Sequence, residues 1–144
     1  MTPTPEHAMF RDAVRAFVDA EIAPHVQAWD EAGAFPRELY ARAASIGLLG
    51  LGYPEALGGT PADTWFRLIA TEEIARAGSG GLMASLFSHN IGLPPIVAHG
   101  SETLQRRVVP PVLAGERIAA LAITEPGGGS DVAQIACRAR RDGD

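Results

Sequence analysis

TPADTWFRLIATEEIARA, residues 60–77, reads as a helix start followed by a helix that is apolar nearly all the way round. Thr60 offers a hydroxyl cap, Pro61 suits the first turn, and Asp63 places a carboxylate three residues after the cap. At about 100° per residue, Trp65, Phe66, Leu68, Ile69, Ala70, Ile74, Ala75 and Ala77 cover most of the circumference, leaving Arg67 and Thr71 as the clearly polar side. A helix of that kind, from Asp63 to Ala77, belongs inside a bundle, and the pattern predicts it as the most buried element. Glu73 falls within the stripe, between the directions of Phe66 and Ile69. Glu72 is four residues before Arg76 and Glu73 three, so one guanidinium could serve both. Glu73 is then either a catalytic acid or base with a raised pKa, or a carboxylate paired with Arg76 or capping another helix. The second reading is the favoured one.

Upstream, Phe10, Val14, Phe17 and Val18 recur at helical spacing, with Arg11, Arg15 and Asp19 on the other face. Pro24 interrupts that pattern, which Ile22, Val26 and Trp29 resume in a second short helix ending around Gly33. Pro36 sits where a first helical residue would, before an apolar face of Leu39, Ala43 and Ile46 and a stop at Gly47. Residues 49–60, with Gly50, Gly52, Gly58, Gly59 and Pro54, read as an ordered loop.

Downstream, residues 77–101 carry no Asp, Glu, Lys or Arg. Gly78, Gly80, Gly81, Gly92, Pro94 and Pro95 break this segment, and His89, Asn90 and His99 add polarity, so no run approaches the roughly 20 apolar residues of a membrane span. Leu82, Met83, Leu86 and Phe87 predict one short helix, and Ile96 and Val97 a second. Ser101 caps a further helix with the stripe Leu104, Val108 and Val112, which Pro110 and Pro111 are expected to split before Gly115 ends it. His7, His25, His89 and His99 show no metal-ligand spacing and read as surface or satisfied core residues.

At Ile118 the texture changes. Residues 118–123 form a continuous apolar run of strand length. The turn TEPGGGSD (124–131) follows, and then Ile135, Cys137 and Ala139 alternate with Ala136, Arg138 and Arg140 as a second strand, with a hairpin turn starting at Arg141. Two strands do not make a stable sheet, so the expectation is a helical domain over residues 1–117 and the beginning of an incomplete β domain over 118–144. Three consecutive glycines let backbone amides approach a phosphate or a flat ring without side chains in the way. No helical pattern follows them, and the lysine of a P-loop is absent. Taken alone, such a loop reads more readily as a plain turn than as a ligand site.

The run ALAITEPGGGSDVA (120–133) resembles the flavin- and substrate-contacting motif of the acyl-CoA dehydrogenase family, matching position by position from Thr124 to Asp131. Gln134 departs from the family's usual Gly, Ser or Ala. GLLGLGYPEALGG (47–59), TEEIARA (71–77) and LAGERIAALAIT (113–124) are similar to the family's loop, central helix and helix-to-sheet passage, in the same order. The resemblance implies a mainly α fold: an amino-terminal acyl-CoA dehydrogenase-like helical domain followed by the first strands of a middle β domain. It also implies FAD-dependent α,β-dehydrogenation of acyl-CoA thioesters, in which a glutamate takes the α-proton and the flavin the β-hydride. That glutamate belongs to a carboxyl-terminal bundle, so no catalytic residue is assigned to this chain. The implied FAD-binding residues are Leu121, Ala122, Ile123, Thr124, Gly128, Gly129 and Ser130. The implied substrate residues are Ser130, Leu82, Leu86 and Phe87. Acyl-CoA, an electron-transfer flavoprotein and further copies of the chain, as a dimer or tetramer, are the implied partners.

Composition agrees with a globular domain: 144 residues, 47% apolar, 20% charged, net charge −5. The dispersed basic residues, all arginine, lack the footprint of a nucleic-acid binder. A lone cysteine, Cys137, excludes an intrachain disulfide and a multi-thiolate metal site and points to a reducing compartment, read as cytoplasmic, while the all-arginine basic set fits a GC-rich coding sequence and is read as a bacterial source. Glu6, Asp12 and Asp19 fit neither a signal nor a transit peptide. The rival from another class is a non-catalytic helical interaction module, or a truncated subunit completed by a partner chain.

Overall fold

A computed structural model describes residues 3–143. Helix α1 (Pro5–Phe17) starts on a proline, whose missing N–H leaves nothing unsatisfied there. It runs directly into a π turn over Val18–Ile22, where Ala23 N–H reaches back to Val18 O (2.8 Å). The widened turn keeps Val18 and Ile22 on the buried side with Val14 and Phe17. After Pro24 come α2 (Val26–Ala32), closed by Gly33 at φ 65°, and α3 (Glu38–Ser45), which begins two residues later than the Pro36 start expected of it. The glycine-rich loop is ordered: Gly52 N–H donates to Thr60 O and Thr60 N–H to Gly50 O, both at 2.8 Å. These bonds make an isolated parallel bridge between Leu51 and Thr60.

Helix α4 (Thr64–Ala75) is capped by Asp63 and not by Thr60, which the loop bridge has already engaged. The Asp63 carboxylate accepts Trp65 N–H (2.9 Å) and Phe66 N–H (3.4 Å). Ile69, Ala70, Glu73 and Ile74 are buried, and α1 packs along this helix. Leu68 on the opposite face is 47% exposed, and Ala75 is also exposed. With four buried residues α4 has more than any other helix among the described residues, but its apolar circumference is not covered all the way round. One side is core, and the apolarity of the other side has no neighbour to cover it among the described residues.

Four helices follow: α5 (Gly80–Leu86), α6 (His89–Gly92), α7 (Pro94–His99) and α8 (Glu102–Leu113). Pro110 and Pro111 lie inside α8 without splitting it, contrary to expectation. The carbonyls they cannot bond, four residues earlier at Arg106 and Arg107, belong to exposed residues, so that water can take the place of the missing N–H donors. Val14, Ile22, Leu39, Leu48, Leu49, Ile74, Leu82 and Leu86 belong to the larger core, and Tyr53, Leu57, Leu93, Val109, Val112 and Leu113 form a second.

Among the described residues beyond Ile118 no strand forms, and the only regular element is a 3-10 turn at Val132–Gln134. The strands expected over 118–123 and 135–139 are corrected to extended chain. The reason is the one that makes two strands insufficient: with no third strand and no covering layer, a ladder buries too little. The two runs are still held together, but through a side chain. The Glu125 carboxylate accepts the backbone N–H groups of Ala136 (2.9 Å) and Cys137 (2.8 Å).

Candidate functional site

The glycine turn stands clear of the helical body. Ser88 Oγ donates to Ala119 O at 2.7 Å and anchors the departing chain. Leu121 and Ile123, 47% and 40% exposed, then lead to an exposed Thr124. Gly128 N–H is committed to Glu125 O (3.0 Å), which closes the turn. A Cβ added at Gly127, Gly128 or Gly129 would meet nothing within 4 Å. Ser130 is exposed, and Asp131 accepts the following Ala133 N–H (3.3 Å) and the Gln134 side-chain amide (2.7 Å). The two hydroxyls and the open glycine row fit a flat, polar-edged cofactor such as FAD, because side chains neither fill nor cap the surface they present. The Gly128 amide is the one expected ligand donor that the fold spends on itself.

The three substrate residues drawn from α5 and its end do not share one wall. Leu86 is fully buried in the larger core. Leu82 lines a groove of about 540 Å³ with Trp29, Phe35, Tyr40, Ser85 and Ile118. Phe87 lines a cleft of about 450 Å³ with Leu48, Tyr53, Arg67, Pro94 and Val97. Ile118 brings the start of the departing segment to the groove's rim, next to α5.

Glu73 is 1% exposed and surrounded by arginines: Arg11 (2.8 Å), Arg15 (3.0 Å) and Arg76 (2.9 Å). Hydrogen bonds from Arg15 foremost, then Arg76 and Arg11, outweigh the cost of burial and hold its pKa at about 2. A carboxylate so held is an anion and a poor proton shuttle, which settles Glu73 as a structural ion-pair centre. Glu72 pairs with Arg11 (2.7 Å) instead of sharing Arg76. The arginines of α1 were not foreseen as partners, although their i, i+4 spacing opposite a Glu-Glu pair was a readable signal.

The buried histidines are satisfied. His7 Nδ1 accepts Thr4 N–H (2.8 Å), so Nε2 carries the proton toward Asp63 (3.1 Å). His89 Nε2 donates to Leu49 O (2.9 Å), and burial lowers its pKa, only partly offset by the Leu49 and Leu86 carbonyls. Among the described residues no group of three or more His, Cys, Asp or Glu side chains could hold a metal. Among the described residues no helix is long and apolar enough to cross a membrane.

The helical body, residues 4–116, matches the family "Acyl-CoA dehydrogenase, N-terminal domain", and the exposed Thr-Glu-Pro-Gly turn follows directly after it. The chain belongs to the acyl-CoA dehydrogenase family. It is 40% identical over 138 residues to the long-chain specific acyl-CoA dehydrogenase of Sus scrofa mitochondria, covering 96% of this chain and 32% of that protein. A crystal structure of an acyl-CoA dehydrogenase from Mycobacterium smegmatis superposes with a TM-score of 0.91 at 48% identity, over 99% of this chain and 38% of that one. The Bacillus anthracis acyl-CoA dehydrogenase complexed with FAD is 33% identical with a TM-score of 0.78, over 92% of this chain and 24% of that one. The chain thus spans about a third of the length of the curated relatives it matches.

Proposed function

We propose that this chain supplies the helical amino-terminal domain, and one wall of the FAD and acyl-CoA site, of an enzyme that dehydrogenates acyl-CoA thioesters at the α,β bond. The observation that carries the reading is the exposed turn from Thr124 to Ser130, whose glycines leave open space on a scaffold of this family. The chemistry supplied by bound FAD is two-electron, hydride-level oxidation. The chain's own residues bind and orient. Backbone and side chains of Leu121, Ala122 and Ile123 lie along the cofactor, and the Thr124 hydroxyl donates to its ring edge. The Gly129 N–H, beside Gly128, and the Ser130 hydroxyl serve phosphate or acyl-CoA oxygens. Leu82 borders the acyl group from the helical side, in the groove that Ile118 rims, while Phe87 faces a separate cleft and Leu86 supports both walls from the core. Residues from 118 onward act as the start of a second, β domain. An electron-transfer flavoprotein receives the electrons, the enzyme is a homo-oligomer, and the single thiol suits a bacterial cytoplasm.

The test expresses the complete open reading frame that carries this sequence. Flavin absorbance should co-elute with the protein, and Ser130→Ala should weaken acyl-CoA binding by about 1.5–3 kcal/mol, the worth of a hydrogen bond to a charged group. Unchanged FAD retention and unchanged substrate affinity in a folded Ser130→Ala enzyme would reduce the loop to a plain turn. The 144-residue chain alone, which carries no residue assigned as the base, should show no measurable acyl-CoA oxidation; loss of a general base alone costs roughly 10²–10⁴ in rate.

A further inference from the structure

The cleft between the glycine-rich loop, α4 and α7 has a feature that the family reaction does not use. Its walls are Leu48, Leu51, Phe87, Pro94 and Val97, and its lining contains one charged side chain, Arg67, and no carboxylate. Among the described residues Arg67 forms no ion pair; its one hydrogen bond is a long one to Gly52 O (3.4 Å). The backbone makes room for this group. Gly52 sits at φ +75°, and a Cβ there would lie 2.1 Å from the Arg67 guanidinium. Any other residue at 52 would both strain the turn and push the cation away. On the floor, Tyr53 is buried, its hydroxyl donating to His89 O (3.1 Å), so that its ring and that of Phe87 add apolar surface while its polar end is occupied. A volume of about 450 Å³ lies within the range of small-molecule sites.

From these observations we infer that the cleft binds an amphipathic monocarboxylate, with an aliphatic tail on the apolar walls and the carboxylate at Arg67. The inference stands apart from the assignment of the glycine turn, none of whose residues lines this cleft. An anion gains a charge-assisted bond from a guanidinium that has no other charged partner. A neutral ligand of the same length gains only the burial of its tail.

Decanoate titrated calorimetrically into the 144-residue chain, below its micellar threshold, is the test, with decan-1-ol as the uncharged probe of equal length. Decanoate should bind one per chain and at least tenfold more tightly than the alcohol. Arg67→Gln should weaken it roughly 10–100-fold. Ala98→Trp, at an exposed position on the cleft wall, should abolish it without disturbing the core. Circular dichroism and the melting midpoint establish that both variants fold. No binding by the folded parent chain, equal affinity for acid and alcohol, or decanoate binding unaltered by both substitutions would each overturn the inference. Because the readout is ligand binding to this chain alone, its failure leaves the Ser130 assignment untouched, and the reverse holds as well.

Discussion

Glu73 shows how one residue can tie two helices together. Its carboxylate collects guanidinium groups from α1 and from its own helix α4, so the α1–α4 contact carries a charged centre beside an apolar one. Glu73→Gln should cost about 2–4 kcal/mol, toward the lower side of what breaking a buried pair costs, because all three guanidinia reach solvent. The pH dependence has a definite sign. The folded-state pKa of about 2 lies below the ordinary 4.5, so the stabilisation is whole above 4.5 and is lost as pH falls toward 2. Chemical denaturation between pH 5 and 3 should therefore show a steeper loss of stability in the parent chain than in Glu73→Gln. Parallel slopes would mean that the arginine cluster does not hold the carboxylate as described. Gly129 offers the opposite case, a residue on which the fold makes no demand. Its φ is not positive and a Cβ meets nothing, so Gly129→Val should leave the melting midpoint of this chain within about 2 °C. A large drop would reveal packing around the turn that the structure lacks.

At the scale of elements, the start of α4 is where sequence pattern and structure part most instructively. The sequence pattern caps the helix at Thr60, ahead of Pro61, and the structure caps it at Asp63. What decides between them is that Thr60 is pulled into the bridge with Gly50 and Gly52, a contact between backbone groups that leaves no mark in side-chain periodicity. Asp63→Ala should accordingly cost about 1–2 kcal/mol by equilibrium unfolding, removing the cap on two N–H groups and the partner of His7. Thr60→Ala, which retains the backbone bonds, should cost under about 0.5 kcal/mol; the reverse ranking would restore Thr60 as the cap. The helices themselves were readable, because Val14, Phe17, Leu39, Ala43, Ile69 and Ile74 fall at helical spacing and are buried. The unbroken α8 was not. Whether Pro110 and Pro111 break a helix depends on whether the carbonyls they orphan can reach water, and that is a property of tertiary placement. The π turn at Val18–Ile22 was likewise hidden, since one extra residue in a turn does not disturb an apolar stripe that continues on both sides of it.

For the molecule as a whole, the question is what the segment beyond Ala120 contributes. With residues 118–120 before it, the segment carries the local chemistry of strand, turn and strand: an apolar run over 118–123, a glycine turn, then alternation. Sheet structure, however, is made by neighbours, and here the neighbours are missing, so the segment lies extended and exposed while two cores form without it. From Leu121 to Gly143 only Glu125 and Gly128 are even partly buried, and Glu125 spends its carboxylate on the segment's own backbone. Burial of apolar area is the main source of stability. Deleting residues 121–144 should therefore shift the melting midpoint by less than about 3 °C, under roughly 0.8 kcal/mol for a domain of this size. Amides of 121–143 should exchange with solvent far faster than those of α1 and α4 in the intact chain, as expected for a segment with little burial. The cut leaves Ala119 and its bond from Ser88 in place, so any larger loss comes from the turn itself. A drop of 10 °C, or slow exchange across residues 118–123, would show that the chain builds its strands in solution, by pairing with a second copy or by folding back on the helices, and that the β domain begins to form without the rest of its sheet.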